Sequence, residues 1–209
     1  MKEILNFELQ YRLGRPATWI YFSLGALIAA LLAAFEQSAT AEFVNSPNNI
    51  TGVLVPVSVI AIFFYAAIMG VPVYRDAEHK TAETYFTFPI KPTSYSWGRF
   101  LGSYLIASLV NVGIVFGAVI GFGIGAFLER PDFGTYTAFD FSSYVLPFVF
   151  ILQINALLIG SLFFSLMAFF KKMPIIYLGG IVLFLLYSIS GAFLSNLANQ
   201  WLGIYLDPF

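Results

Sequence analysis

Apolar positions along this chain fall into long runs separated by short polar segments. Five runs are each near or above the ~20 residues that a helix needs to cross a bilayer: about 18–35, 52–74, 97–128, 144–170 and 174–197. None carries Asp, Glu, Lys or Arg in its middle. Runs such as Ile181-Val182-Leu183-Phe184-Leu185-Leu186 do not alternate apolar and polar residues, so they do not read as transmembrane β-strands. The pattern predicts an all-α fold, a polytopic transmembrane helical bundle. Runs three and four exceed a bilayer's thickness and must tilt, kink or extend into water. Pro56 and Pro147 are the expected kink points.

The polar segments are short. Residues 1–16 form an N-terminal unit, a helix expected to lie in the membrane interface, followed by a transmembrane domain over 17–209. Ile4, Leu5, Phe7, Leu9, Tyr11 and Leu13 supply its apolar surface, while Lys2, Glu8 and Arg12 fall inside the same arc. Glu8 and Arg12 are spaced i,i+4, a pairing worth a few tenths of a kcal/mol on an exposed face. Pro16 ends this helix before the first span. Ala39-Thr40-Ala41 resembles a cleavage site, but the apolar run before it is too long, and its leader too acidic, for a signal peptide.

Composition sharpens the picture. Of 209 residues, 59% are hydrophobic, 19% aromatic and only 10% charged, against about 25% charged in soluble domains. A water-soluble globule of this length could not hide that much apolar surface. There is no Cys and one His, which excludes disulfides, thiolate metal sites and His-rich zinc sites. A net charge of −1 offers no basic face to nucleic acid. No metal ligands or catalytic groups are assigned.

The charges also set orientation. With the N-terminus inside, nine of the ten Lys and Arg residues fall on inner segments and only Arg130 falls outside. This predicts a cytoplasmic N-terminus. Five spans then place the C-terminus outside, so a sixth span is expected beyond residue 209. Asn49-Ile50-Thr51 forms a glycosylation sequon, relevant only in a eukaryotic secretory pathway.

Candidate chemistry is sparse. The chain has no phosphate-cradling P-loop, no G-x-S-x-G or H-E-x-x-H motif, no intramembrane acid pair and no Arg ladder. An intramembrane enzyme or ion-coupled transporter would need such groups. Four features remain. The segment 75–99 is the longest charged stretch, and Asp76–Phe88 can form a short helix stopped by Pro89. Glu78, Ala82 and Tyr85 share one of its faces, and its aromatic end suits a partner's groove. Gly113, Gly117, Gly121 and Gly125 repeat every four residues and form one ridge, fit for packing within the bundle or between subunits. Asn111, Gln153 and Asn155 lie within spans, where they line a pathway or bond neighbouring helices. His79 reads as an exposed loop residue.

Arg75, Asp76, Glu78, Thr81, Glu83, Pro89, Ile90, Gly98 and Arg99 resemble the segment after the second span in permease subunits of type-2 ABC exporters. Lys80 stands where that family commonly has Gly. Phe7-Glu8-Leu9-Gln10-Tyr11-Arg12, followed by Arg15-Pro16, resembles its cytoplasmic connecting helix. The nearest likeness is to bacterial permeases of the gliding-motility and copper-site-maturation group, some of which are fused to a metallo-aminopeptidase. The resemblance implies a bacterial inner-membrane exporter with six spans. It implies a separate ATP-binding cassette subunit that binds ATP and Mg, no cofactor on this chain, and a second permease half, identical or not. Asp76, Glu78, Thr81, Glu83, Tyr85 and Phe86 would then contact the ATPase. The other reading of the residues is a membrane scaffold or assembly factor without transport activity.

Overall fold

A computed structural model describes residues 1–35, 43–79, 91–128, 135–136 and 138–194, with side chains to residue 190. Among these the chain is helical, with no strand. Helix α1 spans Lys2–Leu13 and α2 spans Pro16–Phe35. Helix α3 spans Pro47–Glu78, and α4 spans Pro92–Phe127. The fourth span is composite: α5 at Ser142–Pro147, a π-helical segment at Phe148–Gln153, and α6 at Ile154–Phe170. Helix α7 spans Met173–Leu194. Five helical runs are long and apolar enough to cross a bilayer, and the chain is an integral membrane protein of the all-α class.

Local chemistry sets the helix ends. Pro16, Pro47 and Pro92 stand at first-turn positions, where a missing N–H costs nothing. The Ser46 hydroxyl accepts from the Asn49 amide, at 3.5 Å, to cap α3. The corner between α1 and α2 closes on itself: the Thr18 hydroxyl donates to the Arg12 carbonyl at 2.8 Å, and the Trp19 indole donates to that of Leu13 at 3.0 Å. The Trp19 bond satisfies a carbonyl that the end of α1 leaves open, and the Arg12 carbonyl also accepts from the Arg15 amide at 3.0 Å. Lys171 ends α6 in a left-handed conformation with φ 52°.

Two contacts organise the bundle. The first is α2 against α4. A Cβ added at Gly113 would lie 2.7 Å from the Phe22 ring, and one at Gly117 would lie 2.6 Å from Ala26 Cα and collide with the Ala26 carbonyl oxygen. At Gly121 it would meet Ala30 Cα and Ala33 Cβ, both at 2.8 Å. The glycine ridge therefore packs inside this chain, Gly113 against Phe22 and Gly117 and Gly121 against a facing stripe of alanines. Gly125 is buried at the end of the same ridge.

The second contact is α3 against α4 and the π-helical segment. Tyr65 donates to Asn111 Oδ1 at 2.8 Å, and Asn111 Nδ2 donates to the Leu152 carbonyl at 3.0 Å. A π turn changes the register of the backbone ladder, and here its Leu152 carbonyl takes a bond from a neighbouring helix. Gln153 Oε1 accepts from the Tyr104 and Ser108 hydroxyls at 3.2 and 2.9 Å. Asn111 and Gln153 thus tie helices together. Asn155 is half-buried and makes no side-chain hydrogen bond among the described residues.

Candidate functional site

The N-terminal helix does not lie apart from the bundle. It packs on α4 at two glycines, one turn apart. A Cβ at Gly98 would be 2.9 Å from Ile4 Cγ2, and one at Gly102 would be 2.8 Å from both Glu8 Cβ and Cγ. Only Gly lets the two backbones approach this closely. The face of α1 turned to the bundle carries Glu8 and Arg12, while Phe7 and Leu13 are left exposed. The Glu8–Arg12 pair is therefore not a weak surface pair. It is the start of a buried ionic cluster.

Glu8 is the hub, with no exposed surface. Its Oε1 accepts from Arg12 Nε at 2.6 Å. Its Oε2 accepts from Arg75 Nη2 at 3.1 Å and from Arg99 Nη1. Arg99, 1% exposed, also donates Nη2 to Asp76 Oδ1 at 3.0 Å. The Tyr95 hydroxyl donates to Asp76 Oδ2. Asp76 is 4% exposed and Arg12 6%. Arg75 stacks over the Tyr11 ring at 4.2 Å. Three guanidiniums and two carboxylates leave one net positive charge in a largely buried site. The surplus shows as unfilled donors: Arg12 Nη2 and Arg75 Nη1 are buried with no hydrogen-bond acceptor among the described residues.

The electrostatics favour ionised Glu8. Burial alone would raise its pKa, but the Arg12, Arg99 and Arg75 guanidiniums outweigh burial and hold the carboxyl below its ordinary value of 4.5. A carboxylate with three charge-assisted bonds is fixed in direction as well as charge. The cluster is thus a rigid joint between α1, the last turn of α3 and the first turns of α4.

The six residues assigned to partner contact divide. Asp76 is buried: it lies on the last turn of the long helix α3, inside the cluster. The part of the expected 76–88 helix beyond His79 lies outside the described residues. Glu78 is exposed at that helix end, and Tyr74 donates to its Oε1 at 3.2 Å. His79 caps the helix and is exposed. Thr81, Glu83, Tyr85 and Phe86 lie outside the described residues. Among the described residues, no group of His, Asp and Glu could hold a metal ion.

Sequence reading missed the hub. Glu8 and Arg12 read only as an i,i+4 pair within the apolar arc of α1, and Tyr95, Gly98 and Gly102 carried no assigned role at this site. One signal was present: Gly98-x-x-x-Gly102 beside Arg99 is a close-packing motif next to a charge that needs a partner. No family model, curated protein or solved structure matches the chain.

Proposed function

We propose that the chain is the membrane-spanning permease subunit of an ATP-driven exporter, similar to type-2 ABC permeases. It would sit in a bacterial inner membrane with a cytoplasmic N-terminus, pair with a second permease half, and couple to a separate ATP-binding subunit through residues 75–96. One observation carries the reading. Arg75 and Asp76 lead into that segment, Tyr95 and Arg99 lead out of it, and the arginines meet on Glu8 of the N-terminal helix. A push on the segment would move α1, α3 and α4 together, because a buried ion cluster resists separation. Exposed Glu78 stands where a partner could touch it. The resemblance of 75–99 and of 7–16 to the permease family supports the same assignment.

The decisive experiment is gentle detergent extraction of the native complex, with mass spectrometry of what co-purifies. A stoichiometric subunit with a Walker A motif is the expected result. Its absence, under conditions that keep other membrane complexes whole, would move the assignment to a scaffold or assembly factor. A Glu78→Lys, Glu83→Lys chain should insert normally but fail to stimulate the partner's ATP hydrolysis. Unchanged stimulation would reject the proposed contact.

A further inference from the structure

At the end of the bundle away from the ion cluster lies a cavity of about 450 Å³, within the ~300–1,000 Å³ typical of small-molecule sites. Val112 and Val119 of α4 form one wall, Tyr144 and Phe148 the other. These α4 residues lie 13 to 20 positions past Arg99, or roughly 20–30 Å along the helix at ~1.5 Å per residue. Among the described residues no polar atom lines the cavity. Val112 is half exposed and Phe116, further along the same wall, more so. The opening therefore faces the hydrocarbon of the membrane rather than water.

The loop that lines the cavity carries a charge. Phe139 and Phe141 both line the cavity, and Asp140 lies between them, exposed. Its carboxylate is held in place: the Ser142 and Ser143 hydroxyls each donate to Oδ2 at 2.6 Å, and the Ser142 amide donates to Oδ1 at 3.1 Å. The Ser142 and Ser143 bonds bring its pKa down to about 2, so it is ionised at any working pH. The loop is itself anchored. The Val44 amide donates to the Thr135 carbonyl at 2.9 Å, and Asn45 Nδ2 to that of Ala138 at 3.5 Å. Phe139 stacks on Tyr144, with centroids 5.5 Å apart. An apolar slot whose lining loop carries a fixed, exposed anion has one complementary occupant. That occupant has a hydrocarbon chain and a cationic head.

We propose that this pocket binds a membrane lipid whose headgroup carries an ammonium, with one acyl chain laid along α4 and the ammonium at Asp140. The site needs only a membrane-embedded chain and stands independently of the transport assignment.

The test uses the full chain in uncharged maltoside micelles. The probes are phosphatidylethanolamine and phosphatidylglycerol with identical acyl chains, each spin-labelled near the chain end. The motionally restricted signal reports binding. The expected result is a roughly two- to fivefold preference for the ethanolamine lipid, the range of one exposed ion pair. Asp140→Asn should bring that ratio to about one without loss of fold. Val119→Phe, which fills the slot, should remove the restricted signal for both lipids. Three results would overturn the proposal: no preference in the parent chain, a preference that survives Asp140→Asn, or restricted signal that survives Val119→Phe. Because Asp140 is exposed, its variant remains informative if Val119→Phe fails to fold.

Discussion

Glu8→Gln is the sharpest perturbation of the ionic cluster. The substitution keeps shape and removes one charge, so the buried site goes from one net positive charge to two. Glu8 holds three arginines with hydrogen bonds of 2.6 Å to Arg12, 3.1 Å to Arg75 and a further short bond to Arg99. One such pair at ~4 Å in an effective dielectric of ~20 is worth about 4 kcal/mol before desolvation is subtracted. The variant also escapes the penalty of burying the carboxylate, so the three pairs do not add. Breaking a buried pair by removing one partner costs about 3–5 kcal/mol, and that is the magnitude expected here. For a chain of this length it corresponds to a drop of roughly 6–20 °C in unfolding midpoint if the whole bundle responds.

The loss should be concentrated at the docking of α1 onto α4, and the chain offers a clean reporter. It has no Cys, so Ile4→Cys with Gly98→Cys places a unique thiol pair across the interface. The built Cβ at Gly98 is 3.0 Å from Ile4 Cβ, so Ile4→Cys removes the Cγ2 that Gly98→Cys would meet, and α1 must move out by about half an ångström to reach the ~3.5–4.5 Å of a disulfide. The pair should oxidise rapidly in the parent background and at least tenfold more slowly with Glu8→Gln. Lys2→Gln, at an exposed charge, should leave both readouts within ~0.5 kcal/mol of the parent. If Glu8→Gln matches the parent in midpoint and oxidation rate, the cluster is not what holds α1 to the bundle, and the joint argument fails.

Three further outcomes follow from the same geometry. Gly117→Ala should destabilise by about 1–3 kcal/mol, because its new methyl meets Ala26 backbone that cannot rotate away. Gly123→Ala on the same helix has open space, and should stabilise by up to ~1 kcal/mol in a thermal melt of the two variants side by side. Tyr65→Phe should cost about 0.6–1.7 kcal/mol, the range for interhelical bonds in membranes, because Asn111 Oδ1 loses its donor; Leu152→Ala, which keeps the carbonyl, should still show the bond from Asn111. Acid should act on Glu8 in a defined window. Its folded pKa is lowered, so its stabilising effect is complete above the unfolded value of 4.5 and is lost as pH falls through the lower folded value. The Ile4/Gly98 thiol pair, probed by an oxidant active in acid, should therefore stay close down to pH 4.5 and separate only below it.

The helices were legible because crossing a bilayer demands a one-dimensional property. About twenty apolar residues in a row satisfy it whatever their neighbours are. The second span nonetheless runs to Glu78 rather than Tyr74, and the third begins at Pro92 rather than Trp97. Their ends carry charges that hydropathy assigns to water, and Glu8 draws Arg75 and Arg99 into the protein instead. The ridge of Gly113, Gly117 and Gly121 was equally visible, since a four-residue period marks one helix face. Its partner was not: Ala26 and Ala30 are ordinary residues for a span, and only the packing shows that they fill the ridge. The π turn at Phe148–Gln153 has no sequence marker beyond the Pro147 before it.

The sequence alone determined that this protein lies in a membrane as an all-α bundle, and which residues are scarce enough to matter. Composition and run length suffice for that, because the bilayer acts as a uniform solvent on each segment separately. The tertiary structure decided what the scarce charges do. Glu8, Asp76 and Arg99 lie far apart along the chain, and their energies depend on which of them are close and dry. Coulomb attraction and desolvation both vary with distance and burial in three dimensions, and neither leaves a periodic trace in the order of residues.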